Sequence, residues 1–175
     1  DSILFFTNLG KVYVRKGYRI PEAGRSARGQ NIVNIIPTDP GEKVSAMIAG
    51  RGVTEDNYLV FVTRNGTVKR TAQSAFKNIR SNGIRALSLD EGDELISVLQ
   101  TTGEDKILLA THDGMAICFA ETDARAMGRD AVGVRGIKLR EGDYVVGAAR
   151  AQEGKEVLTL SLIPISEPTR LLSIS

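Results

Sequence analysis

Arginine paired with glycine recurs at one place in each third of this chain. The stretches are "AGRSARGQN" (23–31), "KNIRSNGIR" (77–85) and "AMGRDAVGVR" (126–135). Arg25 and Arg129 stand four residues before Gly29 and Gly133, and Arg80 stands three before Gly83. The chemistry open to such a pair is phosphate contact: the guanidinium neutralises charge and releases counterions, while glycine lets a backbone N–H approach closely. Turn geometry requires the glycine but not the arginine, so recurrence of the pair points beyond the turn. On this ground Arg25, Arg28, Lys69, Arg70, Arg80, Arg129, Arg135 and Lys138 are the candidate phosphate-binding residues.

Bulk charge does not announce such a partner, since 23 Lys and Arg against 21 Asp and Glu leave a net charge of +2. Placement has to do it. More cations sit at Lys11, Arg15, Lys16 and Arg140, while acids gather at Asp39 and Glu42, at Asp90, Glu91, Asp93 and Glu94, and at Glu141 and Asp143. That separation implies two differently charged edges.

Other chemistries lack their residues. One Cys (Cys118) and one His (His112) cannot assemble a zinc cluster or a nucleophile–base pair, so no catalytic, cofactor or metal site is assigned. His112 reads as an exposed turn residue and Cys118 as a small hydrophobe packed in an apolar strand. The acidic turns "DEGD" (90–93) and "REGD" (140–143) lack the ligand count of a calcium loop and read as solvated turns. No apolar run approaches the ~20 residues of a membrane span and no charged-then-apolar leader is present, which places the chain by default in the cytoplasm.

The elements that must carry the arginines repeat with them. "ILFFTNLGKVYV" (3–14), "YLVFVTRNGTVKR" (58–70) and "KILLATHDGMAICF" (106–119) each run apolar strand, Thr, two variable residues, Gly, second strand. Asn65-Gly66 and Asp113-Gly114 are strong hairpin signals; Leu9-Gly10 is the weakest of the three. A second block, "NIVNIIPTDPGEKVSAMI" (31–48), "GIRALSLDEGDELISVL" (83–99) and "GVRGIKLREGDYVVGA" (133–148), reads as alternating strand, acidic Gly turn and strand. About four short strands in roughly 50 residues is the size of a propeller blade. The predicted units are 1–52, 53–103 and 104–154, with "KEVLTL" (155–160) opening a fourth; "TAQSAF" (71–76) and "ETDARAM" (121–127) are each predicted to form a helical turn or so. Residues 161–175, with Pro164 and Pro168, break the plan and read as an out-of-pattern tail. An unpaired blade edge in such an array predicts aggregation or low stability for the chain alone.

"GYRIPEAGRSARGQNIVNIIP", "TRNGTVKRTAQSAFKNIRSNGIRAL", "DELISV" and "RAMGRDAVGVRGIKLREGDYVVG" together resemble the C-terminal domain of bacterial DNA gyrase A over residues 1 to about 160. The resemblance implies an all-β fold, a β-pinwheel or propeller-like array of four-stranded blades that exchange strands with their neighbours, of which this chain holds about three. It also implies sequence-independent binding and wrapping of double-stranded DNA on a basic perimeter, in support of ATP-dependent negative supercoiling. The implied partners are the N-terminal region of gyrase A, together with gyrase B, in an A2B2 holoenzyme; they supply the catalytic tyrosine and the ATP and Mg chemistry. Tyr13, Tyr18, Tyr58 and Tyr144 inherit no such role. The hallmark box Gln-Arg-Arg-Gly-Gly-Lys-Gly normally precedes the first unit found here and is absent; "RSARGQ" (25–30) does not match it. The corresponding C-terminal domain of topoisomerase IV, or a propeller-type protein-interaction scaffold, are the alternative readings.

Overall fold

Alternating side chains that are apolar on both faces are what make the first strand of each unit so uniformly hydrophobic. The computed structural model describes residues 2–50, 57–158 and, as backbone, 171–173. Its strands are β1 (Ser2–Thr7), β2 (Lys11–Lys16), β3 (Val44–Ala49), β4 (Tyr58–Thr63), β5 (Thr67–Ala72), β6 (Ile84–Arg85), β7 (Leu95–Thr101), β8 (Lys106–Thr111), β9 (Ala116–Ala120), β10 (Val134–Arg135), β11 (Val145–Ala151), β12 (Glu156–Leu158) and β13 (Leu171–Ser173). No α-helix occurs among the described residues; the stretches predicted to turn form 3-10 turns at Gln73–Phe76 and Glu121–Asp123.

The strands make antiparallel sheets in the orders β3-β1-β2-β6, β10-β5-β4-β7 and β11-β8-β9. Strands β3, β7 and β11 pack side by side at the centre of the array, so the β2–β6 and β5–β10 edges face outward. The outermost strand of each complete sheet comes from the next unit: Ile84 and Arg85 pair with Val12 and Lys11, and Val134 and Arg135 pair with Val68 and Thr67. This is the strand exchange that the resemblance implies. The first unit departs from expectation, because the alternating segment after Asn31 is a 3-10 turn, Ile32–Asn34, capped by the Asn31 side chain. Among the described residues no sheet edge lies alongside it to pair a strand there, and the local Asx bond forms in its place. Residues 161–170 of the out-of-pattern tail lie outside the described residues, and β13 pairs with β12.

Two cores lie between successive sheets. Leu4, Phe6, Val12 and Ile48 of the first unit meet Leu59, Phe61, Phe76, Leu87 and Leu95 of the second. Val60, Val62 and Val68 of the second meet Ile107, Leu109 and Val145 of the third, together with Ile137. On β4 the odd positions thus face one neighbour and the even positions the other. The outer face of the first sheet is closed by its own loop, Phe5 and Tyr13 packing against Ile36, with Ile20, Ile32 and Ile35 around them. On the third sheet β9 has no outer partner among the described residues, and Ala116, Ile117 and Cys118 are exposed. Cys118 is therefore not the packed hydrophobe that its sequence context implies: the strand it sits on is an uncovered edge.

Strand exchange depends on close approach at the residue before each exchanged strand. Gly83 has φ +79° and lies against Tyr13, where an added Cβ would fall 2.7 Å from the ring. Gly29, its counterpart in the first unit, has φ +68° but open space around it. Gly83→Ala is expected to destabilise by about 2–4 kcal/mol, combining the left-handed backbone cost with overpacking, while Gly29→Ala costs only about 1 kcal/mol. Urea unfolding of the two variants checks the contrast; equal losses would mean the Tyr13 contact is not what fixes β6.

Candidate nucleic-acid interface

The hairpin turns and the acidic turns form one repeated unit of polar structure. Gly10, Gly66 and Gly114 donate their N–H to the carbonyls of Thr7, Thr63 and Thr111 at 2.9, 3.1 and 3.2 Å, so the weak Leu9-Gly10 signal gives the same turn as the strong ones. Each acidic turn closes likewise, with the N–H of Glu42, Asp93 and Asp143 on the carbonyls of Asp39, Asp90 and Arg140. The acid then caps the hairpin turn of its own unit. Glu42 accepts from the Thr7 hydroxyl at 2.6 Å and the Tyr13 hydroxyl at 2.9 Å. Asp93 accepts from the Asn65 N–H at 2.9 Å, and Asp143 from the Asp113 N–H at 3.0 Å. These three acids are buried, and for Asp93 and Asp143 this corrects the solvated-turn reading: their carboxylates satisfy turn N–H donors that would otherwise be orphaned.

His112, Asp113 and Asp143 form the grouping with metal-like spacing among the described residues. Its bonds are those of the cap. Asp143 Oδ1 also accepts from the Tyr144 N–H at 2.8 Å, and the His112 ring stacks on Tyr144 at 4.9 Å. Burial would raise the Asp143 carboxyl, but the Thr111 hydroxyl, the two N–H groups and nearby His112 hold it below the usual carboxylate range. His112 is exposed, as its turn position implies.

With the acids gathered at the hairpin turns, the second and third arginine loops run along the outward edge, because they lead into the exchanged strands β6 and β10; the first leads into the 3-10 turn Ile32–Asn34. Arg25, Arg28, Arg80, Arg135 and Lys138 are exposed and Arg129 is partly exposed. The side chains of these six make no ion pair or hydrogen bond among the described residues. The structure brings neighbouring loops together. A cleft lined by Lys77, Asn78, Arg80 and Arg85 of the second loop includes Arg129 of the third. Another, lined by Arg15, Arg19, Gln30 and Asn34 of the first unit, includes Ser81 of the second. Arg85, Arg15 and Arg19 were not among the sequence candidates; their signal is position, on the exchanged strand β6, near the end of β2 and in the 3-10 turn Gly17–Arg19 that follows it. Arg25 and Arg28 enter neither cleft, and project from a ten-residue stretch, 21–30, that is exposed throughout.

Two candidates do not hold as surface phosphate contacts. Lys69 is wholly buried, its ammonium donating to the carbonyls of Ala86, at 2.8 Å, and Arg129. Arg70 is mostly buried, 4.6 Å from the Tyr58 ring centroid and 3.8 Å from Glu121, which itself accepts from Thr101, Gly103 and Asp105. Both sit on β5, where Lys69 is covered by Ala86 of its own unit and Arg129 of the next, and Arg70 by Tyr58 of its own sheet and Glu121 of the next unit. Among the remaining cations Lys11 is paired with Asp39, and Arg15 donates to the Ile35 carbonyl at 2.6 Å.

The family model described as the DNA gyrase C-terminal domain, beta-propeller, matches residues 1–50, 57–102 and 105–152. DNA gyrase A of Clostridium acetobutylicum is 47% identical over 136 residues, which cover 78% of this chain and 16% of that protein. DNA gyrase A of Staphylococcus aureus is 48% identical over 164 residues, or 92% of this chain and 18% of that one. The chain thus spans less than a fifth of these relatives. Among solved structures, the C-terminal domain of DNA topoisomerase IV superposes with a TM-score of 0.81 at 34% identity, covering 89% of this chain and 49% of that one. A DNA gyrase A C-terminal domain gives 0.74 at 26% identity, covering 90% and 50%. With three matched repeats, exchanged strands and the same fold in both solved relatives, the chain belongs to the DNA gyrase C-terminal domain family of beta-propellers.

Proposed function

We propose that this chain binds duplex DNA without regard to sequence and bends it along its outward edge, as part of a DNA gyrase A protein. The observation that carries the reading is the convergence of successive arginine loops: Arg80 and Arg85 of one unit, both exposed, share a cleft with the partly exposed Arg129 of the next. Cations spaced blade by blade along a curved edge match a phosphate backbone better than they match any small anion, and contact with the backbone alone carries no sequence information. The chain itself contributes no catalytic group in this reading. In the intact enzyme it would support ATP-dependent negative supercoiling in the cytoplasm, with ATP and Mg bound by other regions and with the rest of gyrase A and its gyrase B partner completing the assembly. The 34% identity and TM-score of 0.81 to the topoisomerase IV domain favour that enzyme as the second reading. It comes second because the gyrase relatives share more of this sequence, at 47% and 48% identity.

The test is the affinity for a short random-sequence duplex across a range of salt. With four or five phosphates engaged, log affinity should fall with log salt at a slope of roughly −4, a loss on the order of a hundredfold or more for a fourfold rise in salt. The loss should be the same for a second unrelated sequence. Weak binding with no such slope, from a chain whose circular dichroism shows folded β structure, would overturn the reading in favour of an interaction scaffold.

A further inference from the structure

We infer that Lys69 is a positioning residue for the phosphate cleft: its buried ammonium ties the two walls together and fixes the Arg129 backbone opposite Arg80 and Arg85. This rests on the DNA-binding reading and deepens it. Lys69 lies across from Phe61 in the β4–β5 register, with its nitrogen 5.6 Å from the ring centroid. From there it donates to the carbonyl of Ala86, the residue after Arg85 on one wall, and to the carbonyl of Arg129 on the other. A single cation thus touches the main chain of both walls. Ser88 reinforces the docking, its hydroxyl donating to the Asp130 carbonyl at 2.9 Å and its N–H to the Ala131 carbonyl at 3.3 Å.

Only the Lys69 tie carries charge, which makes it the strong one and also the switchable one. Charge-assisted bonds are roughly twice as strong as neutral ones, and a buried ammonium deprived of an acceptor is costly, so the third loop cannot lift without exposing that penalty. The charged groups facing Lys69 are Asp130, which favours the ammonium, and Arg129, which opposes it; burial outweighs both and brings it down to about 8. At neutral pH the clamp is therefore mostly charged, and it slackens as pH rises through 8. The effect on folding has the opposite sign. Because the folded value lies below the 10.5 of the unfolded chain, the unfolded state binds more protons between those limits, and this group's contribution to stability rises with pH there. A merely structural lysine would not couple a gain in stability to a loss of DNA affinity.

The experiment measures short-duplex affinity and thermal stability for the wild type, Lys69→Met, Arg129→Ala and the double variant, at about pH 7 and about pH 9. At neutral pH each single substitution should weaken binding by about fivefold, and the double should be no weaker than Arg129→Ala, as coupled residues behave. Wild-type affinity should fall by a similar factor at the higher pH, whereas Lys69→Met stays flat and melts no lower than the wild type. The clamp is overturned if Lys69→Met binds like the wild type, if its loss adds in full to that of Arg129→Ala, or if both share the wild-type pH profile. Should Lys69→Met fail to fold, the wild type against Arg129→Ala still decides: only the wild type should lose affinity with pH. A wild type whose binding ignores salt would sink the DNA reading and the clamp with it, while salt-dependent binding that ignores Lys69 sinks the clamp alone.

Discussion

Reversing Arg25, Arg80 and Arg129 together to glutamate should weaken duplex binding by at least a hundredfold at low salt and flatten the salt slope by about three. The three lie in successive loops, so the substitution removes one contact per unit and places three like charges against the phosphates. The side chain of none of the three makes an ion pair or hydrogen bond among the described residues, and Arg25 and Arg80 are exposed, so the fold should shift by no more than about 0.5 kcal/mol at each of these two. Filter binding or fluorescence anisotropy, with a thermal melt as control, reads both quantities. Unchanged affinity in a folded triple variant would show that the arginine recurrence serves something other than DNA. A graded outcome is also informative: Arg80 and Arg129 share a cleft whereas Arg25 stands apart, so the pair should account for more of the loss than Arg25 does.

The repeat, its turns and the all-β class were legible because each rests on a local rule. Gly66 and Gly114 sit at positive φ after Asn and Asp, and the same spacing carries Gly10 into an identical turn even though Leu9 is a poor turn former. What escaped the sequence reading is non-local. The two-residue strands β6 and β10 fall in segments that read as alternating strand, but the residues they pair with, Val12 and Lys11 for one and Val68 and Thr67 for the other, belong to the preceding unit. Asp93 and Asp143 looked like solvated turn acids, because their hairpin partners lie about 30 residues earlier in the chain. Lys69 and Arg70 looked like surface cations for the same reason: exposure on β5 is decided by the loop of the following unit, some 60 residues on. Cys118 is the converse case, an apolar-strand residue left exposed where no further strand pairs with β9 among the described residues.

Phe61→Ala should cost about 3–5 kcal/mol, against the roughly 5–15 kcal/mol that holds a whole domain together. Phe61 is fully buried and meets Phe6 of the first unit edge-on at 5.6 Å and Phe76 at 5.9 Å; Phe6 and Phe76 are themselves 6.1 Å apart, so the three rings form a triangle. The three rings form the centre of the core between the first two sheets, and each such pair adds about 0.5–1.5 kcal/mol beyond its buried area. Truncation also strips Lys69 of the ring beneath its ammonium. Because Val60 and Val62 point the other way, into the second core, the damage should stay at one junction. Units that touch only their neighbours couple through those contacts, so loss of one junction should split the melt into two transitions in place of one lowered transition. Calorimetry of Phe61→Ala beside Phe61→Leu, which keeps much of the volume and should cost far less, separates these outcomes. A single sharp transition shifted by the full amount would show that the units fold as one cooperative body, and that the contacts linking the second and third sheets extend through the first.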